Sequence, residues 1–276
     1  MAPRRSALSI VLAVAASLAG SAAASAATCG GDFATWLEAF KKDAAAAGIS
    51  QGTLNSSLSG VTPDAGVLKL DRNQRYFKQS FETYRAKRVP PGRIDGGLAR
   101  LKANAAFFKR LEQRFGVPGP VLVAIWGLET GFGGFTGNTP VVRSLVTLAH
   151  DCRRSDFFRN ELLAALTIIE KGDLTAAGMK GGWAGELGQT QFLPSSYVKY
   201  AVDYDGDGKR DLIHSFADAL GSTANYLKGY GWQAGKPWGE GTPNYGVLTG
   251  WNKAEVYRRT IVYFAKQLAA GGMAEP

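Results

Sequence analysis

The segment AIWGLETGFGG, residues 124–134, sets a single carboxylate, Glu129, in an apolar run with glycines immediately behind it. Near a helix C-terminus the macrodipole opposes an anion, and Ile125, Trp126, Leu128 and Phe132 offer little solvation, so both effects favour the neutral acid. A carboxylic acid kept neutral near physiological pH can protonate a leaving oxygen, the opening step of glycoside cleavage. The structural alternative is a half-buried glutamate paired with an arginine, for which Arg143 and Arg153 are the candidates.

A second stretch, GGWAGELGQTQFLPSSYVKYAVDYDGDGKRDL at residues 181–212, joins a glycine-rich approach, two glutamines, aromatics and an acidic loop. In that loop Asp203, Asp205, Asp207 and Gly208 take positions 1, 3, 5 and 6 of an EF-hand, but His214 falls where a bidentate glutamate belongs. Other chemistries find little support. With only His150 and His214 there is no HExxH and no three-histidine zinc site, and no GxSxG occurs. Cys152 as a nucleophile served by His150 fails on geometry, because residues two apart on a helix point away from each other.

The elements that must carry these residues are mostly helical. Arg4 and Arg5, an apolar run from Ala7 to Ala19 and small residues at Ala24 and Ala26 read as an export signal over residues 1–26. No later segment reaches about 20 continuous apolar residues, so no transmembrane span is expected, and the protein should be periplasmic or secreted. In such a compartment Cys29 and Cys152 can form a disulfide. Export makes nucleic acid an unexpected partner, and the formal charge of +9 suits work against an anionic polymer as well as simple solubility.

Asp32 caps a helix whose face is Phe33, Trp36, Leu37 and Phe40, with Gly48 as its stop, and a short helix follows in SQGTLNSSL. The spacing of Ile94, Leu98, Leu101, Ala105, Phe108, Leu111 and Phe115 predicts one long amphipathic helix ending at Gly116. Pro120 opens the helix of Glu129, Ser155 caps a later one, and Asn252 with Glu255 forms a capping box for the last. YFKQSFETY reads equally well as extended or helical.

GLETGFG, AGELGQTQFLPSSYVKYAVDYDGDG and DALGSTANYLKGYGW together resemble the membrane-bound lytic transglycosylase B family, exported enzymes that cleave bacterial peptidoglycan. The likeness runs from about Phe33 to Leu268. It implies a mainly α fold with little β structure: a lysozyme-like core over residues 116–276, including the C-terminal helix, and an additional helical subdomain over 27–115. It implies Glu129 as the single catalytic residue, first acid and then base, giving a 1,6-anhydromuramoyl end. Gln191, Tyr197, Trp251, Asn252 and Tyr257 are the implied substrate-binding residues, and Glu186 is a candidate second carboxylate. The partner implied is the glycan strand, and a monomer is expected.

No cofactor is needed for such chemistry, but the resemblance allows a structural calcium in a modified, longer EF-hand. Its candidate set is Asp203, Asp205, Asp207, Lys209 and Asp218. Against the metal, Lys209 and Arg210 could neutralise the aspartates, and Ser215 with Asp218 makes a capping box. Gly182 stands where a serine is expected, and Gly131 and Phe132 where some relatives carry arginine and tryptophan. A hydrolytic muramidase or chitinase, and a wall-binding protein without activity, are the competing readings.

Overall fold

The computed structural model describes residues 29–73 and 79–271, in which thirteen helices and two two-residue strands are found. The export signal read in residues 1–26 lies outside the described residues.

Local sequence explains the first helices. Asp32 accepts from the Thr35 amide at 2.8 Å and starts α1, Phe33–Ala46, which buries Trp36, Leu37, Phe40 and Ala44. Ser50 caps α2, Gln51–Leu58, and Asp64 caps α3, Ala65–Arg72. Phe81–Arg88 is helical (α4), which decides the described end of YFKQSFETY; residues 74–78 lie outside the described residues.

The long helix predicted to end at Gly116 is two, α5 (Pro91–Ala103) and α6 (Ala105–Phe115). Asn104 breaks it: its side-chain amide donates to the Arg100 carbonyl at 3.0 Å, and its backbone leaves helical geometry. Asparagine side chains compete with the helix ladder in this way.

At the centre lies α7, Gly119–Thr130, with ten of its twelve residues buried. A helix apolar on every side must be wrapped by others. Around it stand α5, α6, α11 (Phe216–Gly229) and α13 (Glu255–Ala269). Beside this group, α8 (Val141–His150) pairs with α9 (Ser155–Glu170), which in turn holds α2 and α10 (Pro194–Tyr200). A last helix, α12 (Pro243–Trp251), leads into α13. The strands β1 (Thr139–Pro140) and β2 (Lys180–Gly181) pair antiparallel, Thr139 opposite Gly181.

Two predicted caps are displaced. Arg154, not Ser155, is the N-cap residue of α9, and the Ser155 hydroxyl donates to the Ala149 carbonyl at 2.5 Å. No capping box joins Asn252 to Glu255. Ala254 is the cap, and Asn252 ends α12 while its side-chain oxygen accepts from the Ala254 amide at 2.9 Å. Cys29 and Cys152 are bonded, with Cα atoms 5.0 Å apart.

Candidate active site

Glu129 sits one residue before the end of α7, and a strained turn fixes that end. Gly131, Phe132 and Gly133 all have positive φ, at 61°, 65° and 79°. Phe132 is the costly one, since side chains other than glycine rarely adopt this conformation, and such strain persists only where surroundings enforce it. Here they do. Thr130 donates its hydroxyl to the Gln189 carbonyl at 2.6 Å and accepts from the Gly133 amide at 2.9 Å, while Trp126 donates its indole N–H to Gln189 Oε1 at 3.0 Å. A β-carbon at 133 would lie 2.6 Å from that same oxygen, so only glycine fits.

The carboxyl group is held asymmetrically. Oε1 accepts from the Tyr257 hydroxyl at 2.6 Å and from the Trp251 indole at 3.0 Å. Oε2 has no hydrogen-bond partner among the described residues. Burial raises the pKa of Glu129 above the ordinary carboxylate range; the two hydrogen bonds and the Arg88 charge oppose that rise, and Glu186 adds to it. Neither arginine proposed as its partner is near. Arg143 donates to the Thr62 carbonyl at 3.0 Å and pairs with Asp64, and Arg153 pairs with Asp71. Instead Arg88 donates to the Leu128 carbonyl at 2.6 Å, a cation set at the C-terminal end of α7.

Glu129 lies in a cavity of about 450 Å³ shared with Gly182, Trp183, Glu186, Gln191, Phe192, Ser196, Tyr226, Trp251 and Asn252. The Trp251 ring packs edge-on against Phe192 and Tyr226, at 5.6 and 5.1 Å between centroids. Gln191 spends both amide hydrogens on the carbonyls of Thr136 and Gly188, each at 3.0 Å, so it offers the cleft only an acceptor oxygen. Glu186 accepts from the Ala184 amide at 3.2 Å, and its pKa too is raised by burial. A β-carbon at Gly182 would come within 2.3 Å of Glu186 Oε2.

Tyr197 does not reach the cleft. It is fully buried, because α10 turns Ser196 to the cavity and the next side chain to the core. The N-terminus of that helix is held by Glu161, whose carboxylate accepts from the Ser195 amide and hydroxyl at 2.9 and 2.7 Å. Tyr257 is also buried, and its hydroxyl is directed at the acid rather than at a ligand. Trp183, Phe192, Ser196 and Tyr226 were not picked out as cleft residues from sequence. Trp183 is next to Gly182, Phe192 next to Gln191 and Ser196 next to Tyr197, which was the available signal.

In the acidic loop, Asp203, Asp205 and Asp218 bring carboxylate oxygens within 4.8 Å of one another. Asp207 stands outside this cluster, accepting from the Lys209 amide at 2.9 Å. Asp218 is fully buried and accepts from the amides of Tyr204 at 2.7 Å and Asp211 at 2.8 Å. The Ser215 hydroxyl caps α11 through the Asp218 amide, but no reciprocal bond returns from the Asp218 carboxylate. Arg210 does not neutralise the loop, since it pairs with Asp173.

Two carboxyl groups with raised pKa in an aromatic-lined cleft, Glu129 held by two donors and Glu186 across the same cavity, in a mainly helical protein, suit acid catalysis on a sugar polymer. The chain belongs to the family described as transglycosylase SLT domain, whose model matches residues 32–242. Over 153 residues it is 37% identical to membrane-bound lytic murein transglycosylase B of Escherichia coli (strain K12), a match covering 55% of this chain. The matched stretch spans 42% of that relative's length, less than half of it. Among solved structures, SltB3 from Pseudomonas aeruginosa in complex with NAG-anhNAM-pentapeptide is 34% identical with a TM-score of 0.82, covering 90% of this chain and 83% of that one. Lytic transglycosylase Slt35 of Escherichia coli in complex with calcium is 26% identical with a TM-score of 0.77, covering 90% and 97%.

Proposed function

We propose that this chain is an exported lytic transglycosylase that cleaves the bond between N-acetylmuramic acid and N-acetylglucosamine in peptidoglycan. The observation that carries the reading is the asymmetry of Glu129, with both protein donors on Oε1 and none on Oε2. Oε2 is then the oxygen that holds the proton in the cleft. It protonates the glycosidic oxygen as the C1–O bond breaks, and the substrate's own N-acetyl oxygen supports the anomeric carbon. The resulting carboxylate, stabilised on Oε1 by Tyr257 and Trp251, removes the proton from the muramoyl 6-hydroxyl. O6 closes on C1, the acetamido oxygen leaves, and Glu129 is again protonated. No water is consumed. Trp183, Trp251 and Gln191 Oε1 supply stacking and acceptor contacts for the sugars.

A hydrolytic reading has one specific support, Glu186 in the same cavity, which could activate water. Muropeptide mass spectrometry separates the two, because the anhydro end is lighter by one water. For Glu129→Gln we expect an intact fold, retained wall binding and turnover lower by ~10²- to 10⁴-fold. Activity within a few-fold of wild type would remove Glu129 from its role and leave Glu186 as the acid.

We also propose that Asp203, Asp205 and Asp218 hold a structural calcium. The all-oxygen donor set fits a hard cation, and a relative was solved in complex with calcium. Calcium should raise the melting temperature without altering the products. Equal melting temperatures in chelator and in millimolar calcium, with Asp205→Ala as control, would reduce the loop to an ordinary turn.

A further inference from the structure

A second cavity, of about 270 Å³, opens on the far side of the Tyr257–Glu129 hydrogen bond. Tyr84, Lys87, Arg88, Asn252, Val256 and Tyr257 line it, and the two cavities are neighbours, with Asn252 bordering both and the Tyr257–Glu129 hydrogen bond joining a wall of one to a wall of the other.

Their charges are opposite. The glycan cleft contains Glu129 and Glu186 and no cation, whereas this pocket contains Lys87 and Arg88 and no anion. Neither base forms an ion pair among the described residues, although Arg153, Arg154, Arg159 and Arg210 all have carboxylate partners. Arg88 spends one N–H on the Leu128 carbonyl, and its Nε is buried without a partner. A half-buried guanidinium lacking a counter-ion is unfavourable by itself and favours a ligand that brings one.

Neutral sugars have no use for such a charge. The anions of peptidoglycan are the carboxylates of its stem peptide, which hangs from the lactyl group of the muramoyl sugar. That is the sugar whose C1 faces Glu129 in the mechanism above, so the peptide must leave the cleft within one ring of the acid. We propose that the Lys87–Arg88 pocket binds a carboxylate of the stem peptide and so selects peptide-bearing strands. This rests on the transglycosylase reading.

The test compares kcat/KM on glycan strands with intact peptides, with amidated peptide carboxylates, and with peptides removed. Wild type should prefer intact strands and lose that preference on amidated ones. Lys87→Glu should lower kcat/KM on intact strands roughly fivefold, the scale of one exposed charge contact, and leave peptide-free strands unchanged. Arg88→Gln should lower kcat/KM on intact strands more strongly, by about tenfold or more, since a half-buried charge is worth more, and should lower it to a smaller extent on peptide-free strands as well, because Arg88 also holds the end of α7 and its charge acts on Glu129. A preference that survives both amidation and Lys87→Glu overturns the proposal, as do equal losses on all three substrates. Product mass is read in parallel: reducing ends in place of anhydro ends would strike the transglycosylase reading instead, and the pocket's assignment with it.

Discussion

Tyr257 and Trp251 both donate to Oε1 of Glu129, and burial keeps the Tyr257 hydroxyl protonated far above its ordinary pKa, so it stays a donor throughout. Those hydrogen bonds favour the ionised acid while desolvation, the larger effect, favours the neutral one. Removing one donor must therefore raise the pKa of Glu129 further. In the proposed mechanism Glu129 starts as the acid, so activity should fall as pH rises through that pKa. Tyr257→Phe should accordingly shift the alkaline limb of the kcat/KM profile to higher pH while lowering kcat, and an unmoved limb would mean that the hydroxyl does not act on the acid. At this scale the raised pKa of Glu129 was legible, since a lone carboxylate among apolar residues has a predictable bias. Its donors lie 122 and 128 residues further along the chain, and local pattern cannot join them. Arg143 and Arg153 were plausible partners by charge, but charge alone does not tell that Asp64 and Asp71 stand closer.

The end of α7 is clamped by the loop that follows β2, through Thr130 and Trp126 on Gln189. Thr130→Val keeps the shape but leaves the Gln189 carbonyl and the Gly133 amide unpaired. Each such buried group costs about 1–3 kcal/mol, so denaturant titration should show a loss of at least that size. Unchanged stability would mean that the turn holds itself. Helix starts with a side-chain cap were readable, as at Asp32 and Ser215. Starts capped from elsewhere in the chain were not: α10 receives its cap from Glu161 on α9, and the break at Asn104 depends on one side chain choosing a carbonyl over solvent. At residue 252 the letters of a capping box are present, but Asn252 belongs to the end of α12, a helix whose apolar pattern is too short to announce itself.

Across the whole molecule, the disulfide fastens the segment before α1 to the turn after α8. The Gly30 amide donates to the His150 carbonyl at 2.8 Å, and the flanking Arg153 and Arg154 hold Asp71 of α3. Replacing both cysteines with serine should lower stability by about 2–4 kcal/mol through the freed unfolded chain; an unchanged unfolding midpoint would mean that packing alone closes this junction. The pairing was legible from compartment and count, whereas its packed surroundings were not. The bond also makes the chain from Cys29 to Cys152 a covalent ring. A single backbone cut within that ring severs the polypeptide without releasing a fragment. Glu129 belongs to the ring, while Trp251 and Tyr257 belong to the open tail beyond it. The candidate site is thus closed by the tail folding back onto the ring, and a nicked, unreduced molecule keeps Glu129 and both of its donors on one connected chain.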